Sequence, residues 1–220
     1  MMLTRSQSVG LAAAVAAVVV VQWLRYQEDE QNQDAGFLSW LFQADQAISL
    51  MTDKTPETVA ERNRRAFLWM IRTAEGTAGP NGYRTLFGGG LFAGWADHPR
   101  RAAQFTDRDG RKLWTSAAGA YQFMAVSPLP GGGSTKVNTW DRIRAKLGLP
   151  DFSPASQDAA ALELIREAGA LADVIAGRFD QAVSKVRGIW ASLPGAGYAQ
   201  REVALSQLRT AFVAAGGVLA

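Results

Sequence analysis

The segment Ala66-Phe-Leu-Trp-Met-Ile-Arg-Thr-Ala-Glu-Gly-Thr77 constrains this chain more than any other. Phe67, Met70, Ile71 and Ala74 recur at the spacing of one buried helical stripe. Gly76 supplies the residue that commonly ends a helix. Glu75 therefore stands at the C-terminal tip of an apolar helix, where the chain enters a Gly-rich stretch. Desolvation by apolar neighbours and the negative end of the helix dipole both raise the pKa of a carboxyl group placed there. A carboxyl kept protonated near neutral pH serves as a general acid. A last-turn Glu that points into solvent satisfies the same pattern.

Residues 76–96 contain no Asp or Glu, and Asp97 is the first acid downstream. The chain has 220 residues, 48% of them hydrophobic, enough for one packed domain and an appendage. It has no Cys, which excludes disulfides and thiolate chemistry, and its single His98 excludes a multi-histidine metal site. Neither a metal nor a cofactor is expected. Net charge is +3, but no Lys/Arg block with interleaved aromatics appears, so nucleic acid is not an expected partner.

Residues 1–25 read as a signal anchor. The uncharged run from 9 to 24 spans 16 residues, against the roughly 20 that cross a bilayer, and no small-residue cleavage pattern follows it. Residues 26–55 read as an acidic linker followed by an apolar-rich helix over 37–51. Thr55 and Pro56 form a candidate cap and first turn for the catalytic helix. Asp109-Gly110 marks a hairpin between 103–106 and 112–114. The pattern turns helical after Ser116, and residues 127–134, with two Pro and three Gly, read as a mobile loop. Helices are expected over 139–147, ended by Gly148, over 155–168, capped by Ser153-Pro154, and over 179–190 and 201–215. Trp69 and Trp190 are assigned to the core, and His98 to a hydrogen-bonded structural role.

Seven segments occur in a telling order: Ala74-Glu-Gly-Thr77, Gly89-Gly-Leu-Phe92, Asp97-His-Pro-Arg100, Ala118-Gly-Ala-Tyr-Gln122, Asp151-Phe-Ser-Pro154, Ser156-Gln-Asp158 and Trp190-Ala-Ser-Leu-Pro-Gly-Ala-Gly-Tyr198. The series resembles the lambda-type phage endolysins, which are lysozyme-like lytic transglycosylases of peptidoglycan. The resemblance runs from about residue 62 to 217. It implies an α+β, lysozyme-like fold over residues 56–220, a mostly helical lobe with a small β-hairpin lobe. It also implies cleavage of the N-acetylmuramic acid–N-acetylglucosamine bond with formation of a 1,6-anhydro sugar. The expected partners are peptidoglycan strands, the inner membrane through residues 9–24, and other virion proteins if the chain belongs to a particle. The catalytic reading places the enzyme on the periplasmic side of that membrane, or in the virion.

Glu75 is the candidate acid, and a lone acid suits attack by the substrate's own C6 hydroxyl. Ser116, Tyr121, Gln122 and Tyr198 are candidate substrate-binding residues, with Gly119 permitting close approach of a chain or a sugar. Two alternatives stay open. Asp97 can act as a hydrolytic base, making the chain a muramidase, or as the stabilised Asp of a turn. The chain can also be a membrane-tethered wall-binding virion protein without activity.

Overall fold

The computed structural model describes residues 57–107, 109–197 and 202–220. The expected anchor over 9–24, the helix over 37–51 and Tyr198 lie outside the described residues. No helix among the described residues is long and apolar enough to cross a membrane.

Helix α1 spans Val59–Ala74. Its N-cap is Thr58, whose side chain accepts from the Glu61 amide while Glu61 accepts from the Thr58 amide. The expected Thr55-Pro56 start lies outside the described residues, and Thr58-x-x-Glu61 satisfies two orphan donors at once. Phe67, Met70 and Ile71 are fully buried, as their spacing predicts. Trp69 is not a core residue: it is 40% exposed, on the face of α1 that carries Arg65 and Arg72 rather than Phe67.

A 3-10 turn over Gly82–Arg84 leads into short β-bridges, including Thr85 with Leu91 and Leu86 with Ala118. Strands β1 (Ala103–Thr106) and β2 (Lys112–Thr115) form the expected antiparallel hairpin, with Ala103 opposite Thr115 and Thr106 opposite Lys112. Asp107 closes its turn by accepting from the amides of Asp109 and Arg111.

The segment after Ser116 is not helical. Ala118 and Phe123 exchange both backbone hydrogen bonds, so residues 119–122 form a tight turn. Gly119 and Gln122 both hold positive φ there, 79° and 48°. Residues 127–134 also close on themselves through a Pro128–Ser134 bridge and a Leu129–Gly133 backbone bond.

Five helices follow: α2 (Thr139–Leu147), α3 (Pro154–Glu167), α4 (Leu171–Ala176), α5 (Phe179–Val186) and α6 (Leu205–Ala214). Gly148 ends α2 in the left-handed region, and Ser153 caps α3 with Pro154 in its first turn, both as the sequence predicts. Helix α5 stops four residues before Trp190, and α4 is an element the periodicity does not show. Six residues are too few to display a helical stripe.

Helix α1 packs on α4 and α6. Phe67, Phe179 and Phe212 meet there at ring separations of 6.2, 6.5 and 5.2 Å. A second aromatic cluster joins Phe92, Phe123, Trp140 and Phe152. Burial of each such side chain contributes about 1.5–3 kcal/mol. Phe67 brings α1 into the first cluster, and both belong to one continuous core.

Candidate active site

Glu75 is the C-cap residue of α1, with its own amide still bonded to the Ile71 carbonyl. It is half-buried. It lines a pocket of about 150 Å³ with Phe87, Phe105, Gln122, Met124, Ile189 and Trp190. Phe87 comes from the Gly-rich loop and Phe105 from β1, and their rings pack at 5.4 Å. The hairpin thus contributes an apolar wall to the carboxylate's pocket. A second cavity of about 430 Å³ shares Gln122, Met124, Ile189, Trp190 and Ala191 with the first, so the two form one cleft.

Burial among these groups pushes the Glu75 carboxyl up from 4.5, and hydrogen bonds from Ser192 oppose the rise. The Ser192 hydroxyl donates to Oε1 at 2.6 Å across 117 residues of sequence. The apolar wall therefore favours the acid, and Ser192 favours the carboxylate that forms once the proton has gone. A group that must donate its proton loses activity as pH rises through its pKa. Ser192→Ala removes the hydroxyl's bond and keeps the backbone one, so the alkaline limb of the pH–activity profile is expected to move to higher pH. A profile that stays in place, or moves to lower pH, contradicts this assignment.

Glu75 is the sole Asp or Glu among the described residues lining this pocket. Asp97 lies in another environment. Its Oδ1 accepts from Trp140 Nε1 and Arg144 Nη1 at 3.2 and 3.0 Å, and its Oδ2 accepts from Arg100 Nε and Nη2 at 3.1 and 2.9 Å. Desolvation raises its pKa, but those donors prevail and hold the carboxyl below its ordinary value. Next to it His98 is buried. Its Nδ1 accepts from the Arg100 amide, leaving the Nε2 proton for the Phe123 carbonyl at 2.9 Å. His98 is the structural residue the sequence suggests.

Of the expected binding residues, Gln122 alone among those described reaches the Glu75 pocket. Its backbone is held at φ 48°, and its amide donates to the Gly119 carbonyl at 2.9 Å. A non-glycine residue in that region is a local cost accepted where the surroundings over-determine it. Ser116 is absent from the lining of both cavities, and Tyr121 borders only the larger one. Ser116 is buried, with its hydroxyl donating to the Ala125 carbonyl at 2.6 Å and accepting from the Ala125 amide. Tyr121 is buried, its hydroxyl donating to Asp158 at 2.6 Å and its carbonyl accepting from Trp190 Nε1 at 3.1 Å. Burial and the Asp158 carboxylate push the phenol far above its usual range. Tyr121 thus holds Trp190 at the cleft from beneath. Gly119 approaches a chain rather than a sugar, since Gln157 and Phe152 fill the space beside it. Ser192, Phe87 and Phe105 escape sequence reasoning because their contact with Glu75 is purely tertiary.

Comparison with known proteins places the chain in a family. The family model described as Endolysin matches residues 65–219, which leaves residues 9–24 outside the match. A curated endolysin of Escherichia phage P2 is 42% identical over 176 residues, covering 74% of this chain and 98% of the relative. The endolysin of Escherichia phage lambda is 40% identical over 162 residues, covering 71% of this chain and 92% of the relative. The solved structure of bacteriophage lambda lysozyme complexed with a chitohexasaccharide superposes with a TM-score of 0.62 at 38% identity, covering 72% of this chain and 97% of that one.

Proposed function

The chain belongs to the endolysin family, and from that premise we propose that it degrades peptidoglycan as a lytic transglycosylase, with Glu75 as both acid and base. The observation that carries this reading is a single carboxylate, raised by burial, in a pocket whose other described walls bear no second acid. The related lambda lysozyme has been solved with a chitohexasaccharide, which supports a β-1,4-linked amino-sugar chain as the occupant of the cleft.

The protonated Glu75 donates to the oxygen linking N-acetylmuramic acid to N-acetylglucosamine, and the C1–O bond breaks. The muramoyl C6 hydroxyl then attacks C1, and the Glu75 carboxylate takes its proton. The acid is thereby regenerated and no water enters the product. Intramolecular attack avoids much of the entropic cost of recruiting a second reactant. A hydrolase places its two carboxyl groups about 5–10 Å apart across the sugar. Asp97, engaged by Arg100, Arg144 and Trp140 and absent from the pocket lining, is poorly suited to that part. Gln122 is the candidate among the expected binding residues to contact substrate. The substrate lies outside the inner membrane, so the reading places the catalytic domain there, whether the chain serves lysis or wall penetration.

Purified peptidoglycan is expected to yield 1,6-anhydro-muropeptides as the main products. Mass spectrometry separates these from hydrolysis products by one water. Products dominated by reducing-end N-acetylmuramic acid reject the transglycosylase reading in favour of a muramidase.

A further inference from the structure

A second open groove, of about 790 Å³, runs along another face of α1. Helix α1 contributes Glu61, Arg64, Arg65, Leu68, Trp69 and Arg72 to it. Their spacing is that of one helical face. Tyr83 and Asp158 stand across from them, with the end of α6 at Ala214 and Ala215. None of these residues lines the Glu75 pocket; Tyr121, which is buried, borders both this groove and the larger cavity of the Glu75 cleft.

The chemistry of this face is unusual for a helix otherwise packed in a core. Trp69 is 40% exposed. The Arg72 guanidinium lies 5.3 Å from the Trp69 ring and 4.3 Å from the Tyr83 ring. It donates to the Tyr83 hydroxyl and the Thr77 carbonyl, and its Nε has no partner. Two aromatic faces, rather than a carboxylate, hold this cation.

The charges in the groove are unevenly answered. Glu61 is engaged in capping α1, and Asp158 accepts from the Tyr83 and Tyr121 hydroxyls. Arg65 pairs with Glu57. Neither Arg64 nor Arg72 pairs with a carboxylate among the described residues. Two cations outside any ion pair among the described residues therefore flank an exposed indole. An indole face covers the apolar C–H face of a pyranose, and a guanidinium fork matches a carboxylate. A ligand that offers both groups together is a carboxylate-bearing amino sugar with its attached acidic peptide.

We propose that this groove is an accessory wall-binding site that takes the muramoyl-peptide portion of peptidoglycan, apart from the strand being cleaved. The proposal rests on the wall-degrading reading above. A second grip on the wall would keep the enzyme at its insoluble substrate between cleavage events.

The test uses the full chain carrying Glu75→Gln, so that substrate is not consumed, with purified sacculi in sedimentation assays and chitohexaose as a neutral ligand for the Glu75 cleft. Trp69→Ala and Arg64→Gln are each expected to weaken sacculus binding about tenfold, the effect of losing one good contact, while chitohexaose affinity stays unchanged. Arg64 is half-buried and bonds no described side chain, so Arg64→Gln reports on the groove even if Trp69→Ala lowers stability. Sacculus binding that both variants leave unchanged overturns the proposal. So does an equal loss of chitohexaose binding, or a loss of binding to phosphatidylglycerol vesicles alone. Cleavage of sacculi by the parent chain is measured in parallel. Groove-dependent binding without cleavage sinks the enzymatic reading and keeps the groove; cleavage without groove-dependent binding does the reverse.

Discussion

Glu75→Gln is expected to abolish wall lysis while leaving the fold intact. General acid–base catalysis typically contributes about 10²- to 10⁴-fold, and Glu75 serves in both proton transfers of the proposed reaction, so a loss of at least about 100-fold is expected. The replacement is nearly isosteric, and its amide still accepts the Ser192 hydroxyl through its oxygen. Stability supplies an independent check on the same residue. Burial raises the Glu75 pKa in the folded chain above its ordinary 4.5. The folded state therefore binds this proton more tightly than the unfolded state does. The resulting stabilisation is fully present below about pH 4.5 and is lost as pH rises through the folded-state value. Above its folded-state pKa the parent carries a partly buried charge that the amide lacks. Glu75→Gln should then be at least as stable as the parent at pH 7, with the difference shrinking toward pH 4. Activity within about tenfold of the parent rejects the general-acid role. A variant less stable at pH 7 contradicts the electrostatic account of the pocket.

Gly119→Ala is expected to destabilise the domain by about 2–4 kcal/mol, through backbone strain and overpacking together. Gly119 has φ 79°, a region costly for alanine. A Cβ built there meets Gln157 Oε1 at 2.3 Å and Phe152 Cζ at 2.9 Å. Gln157 cannot yield easily. Its Oε1 accepts from the Ala120 amide at 2.8 Å, and its Nε2 donates to the carbonyls of Phe152 and Tyr83 at 2.8 and 3.0 Å. Phe152 is fully buried in the aromatic cluster. For a domain of this size the loss corresponds to a Tm lowered by roughly 5–15 °C. Gly131→Ala is the control: it has positive φ as well, but nothing lies within 4 Å of its Cβ position. Equal effects at the two sites assign the loss to backbone strain alone. Because Gly119 and Gln122 belong to one turn, the surviving folded fraction of Gly119→Ala should also show weakened catalysis.

The two substitutions probe features that differ in how far the sequence discloses them. Glu75 is visible because its sequence neighbours mark it: an apolar stripe ending at a carboxylate and a glycine. The same holds for Ser153-Pro154 opening α3, Gly148 closing α2, and Asp109-Gly110 between two short strands. Each depends on the conformational preferences of a few adjacent residues. The cap at Thr58 was equally local, and the Thr58-x-x-Glu61 signature was there to be found. Trp69 misleads because periodicity groups apolar residues without saying which face of the helix finds a partner. The turn at 119–122 misleads for a different reason. Its small and apolar residues suit a helix locally, and only Gln157, Phe152 and the Thr85 carbonyl impose the alternative.

The sequence by itself determined the place of the candidate acid, the absence of a second one before Asp97, and the order of motifs that reveals the family. Those are properties of residue type and spacing, which survive without coordinates. Tertiary structure alone decided what surrounds the acid. Ser192 reaches Glu75 across 117 residues, and Phe87 and Phe105 line its pocket from two separate segments. It also decided that Ser116 and Tyr121 are buried while Gln122 lines the Glu75 pocket. Desolvation and hydrogen bonding act through distances of a few ångströms, and chain separation carries no information about which distant residues will supply them.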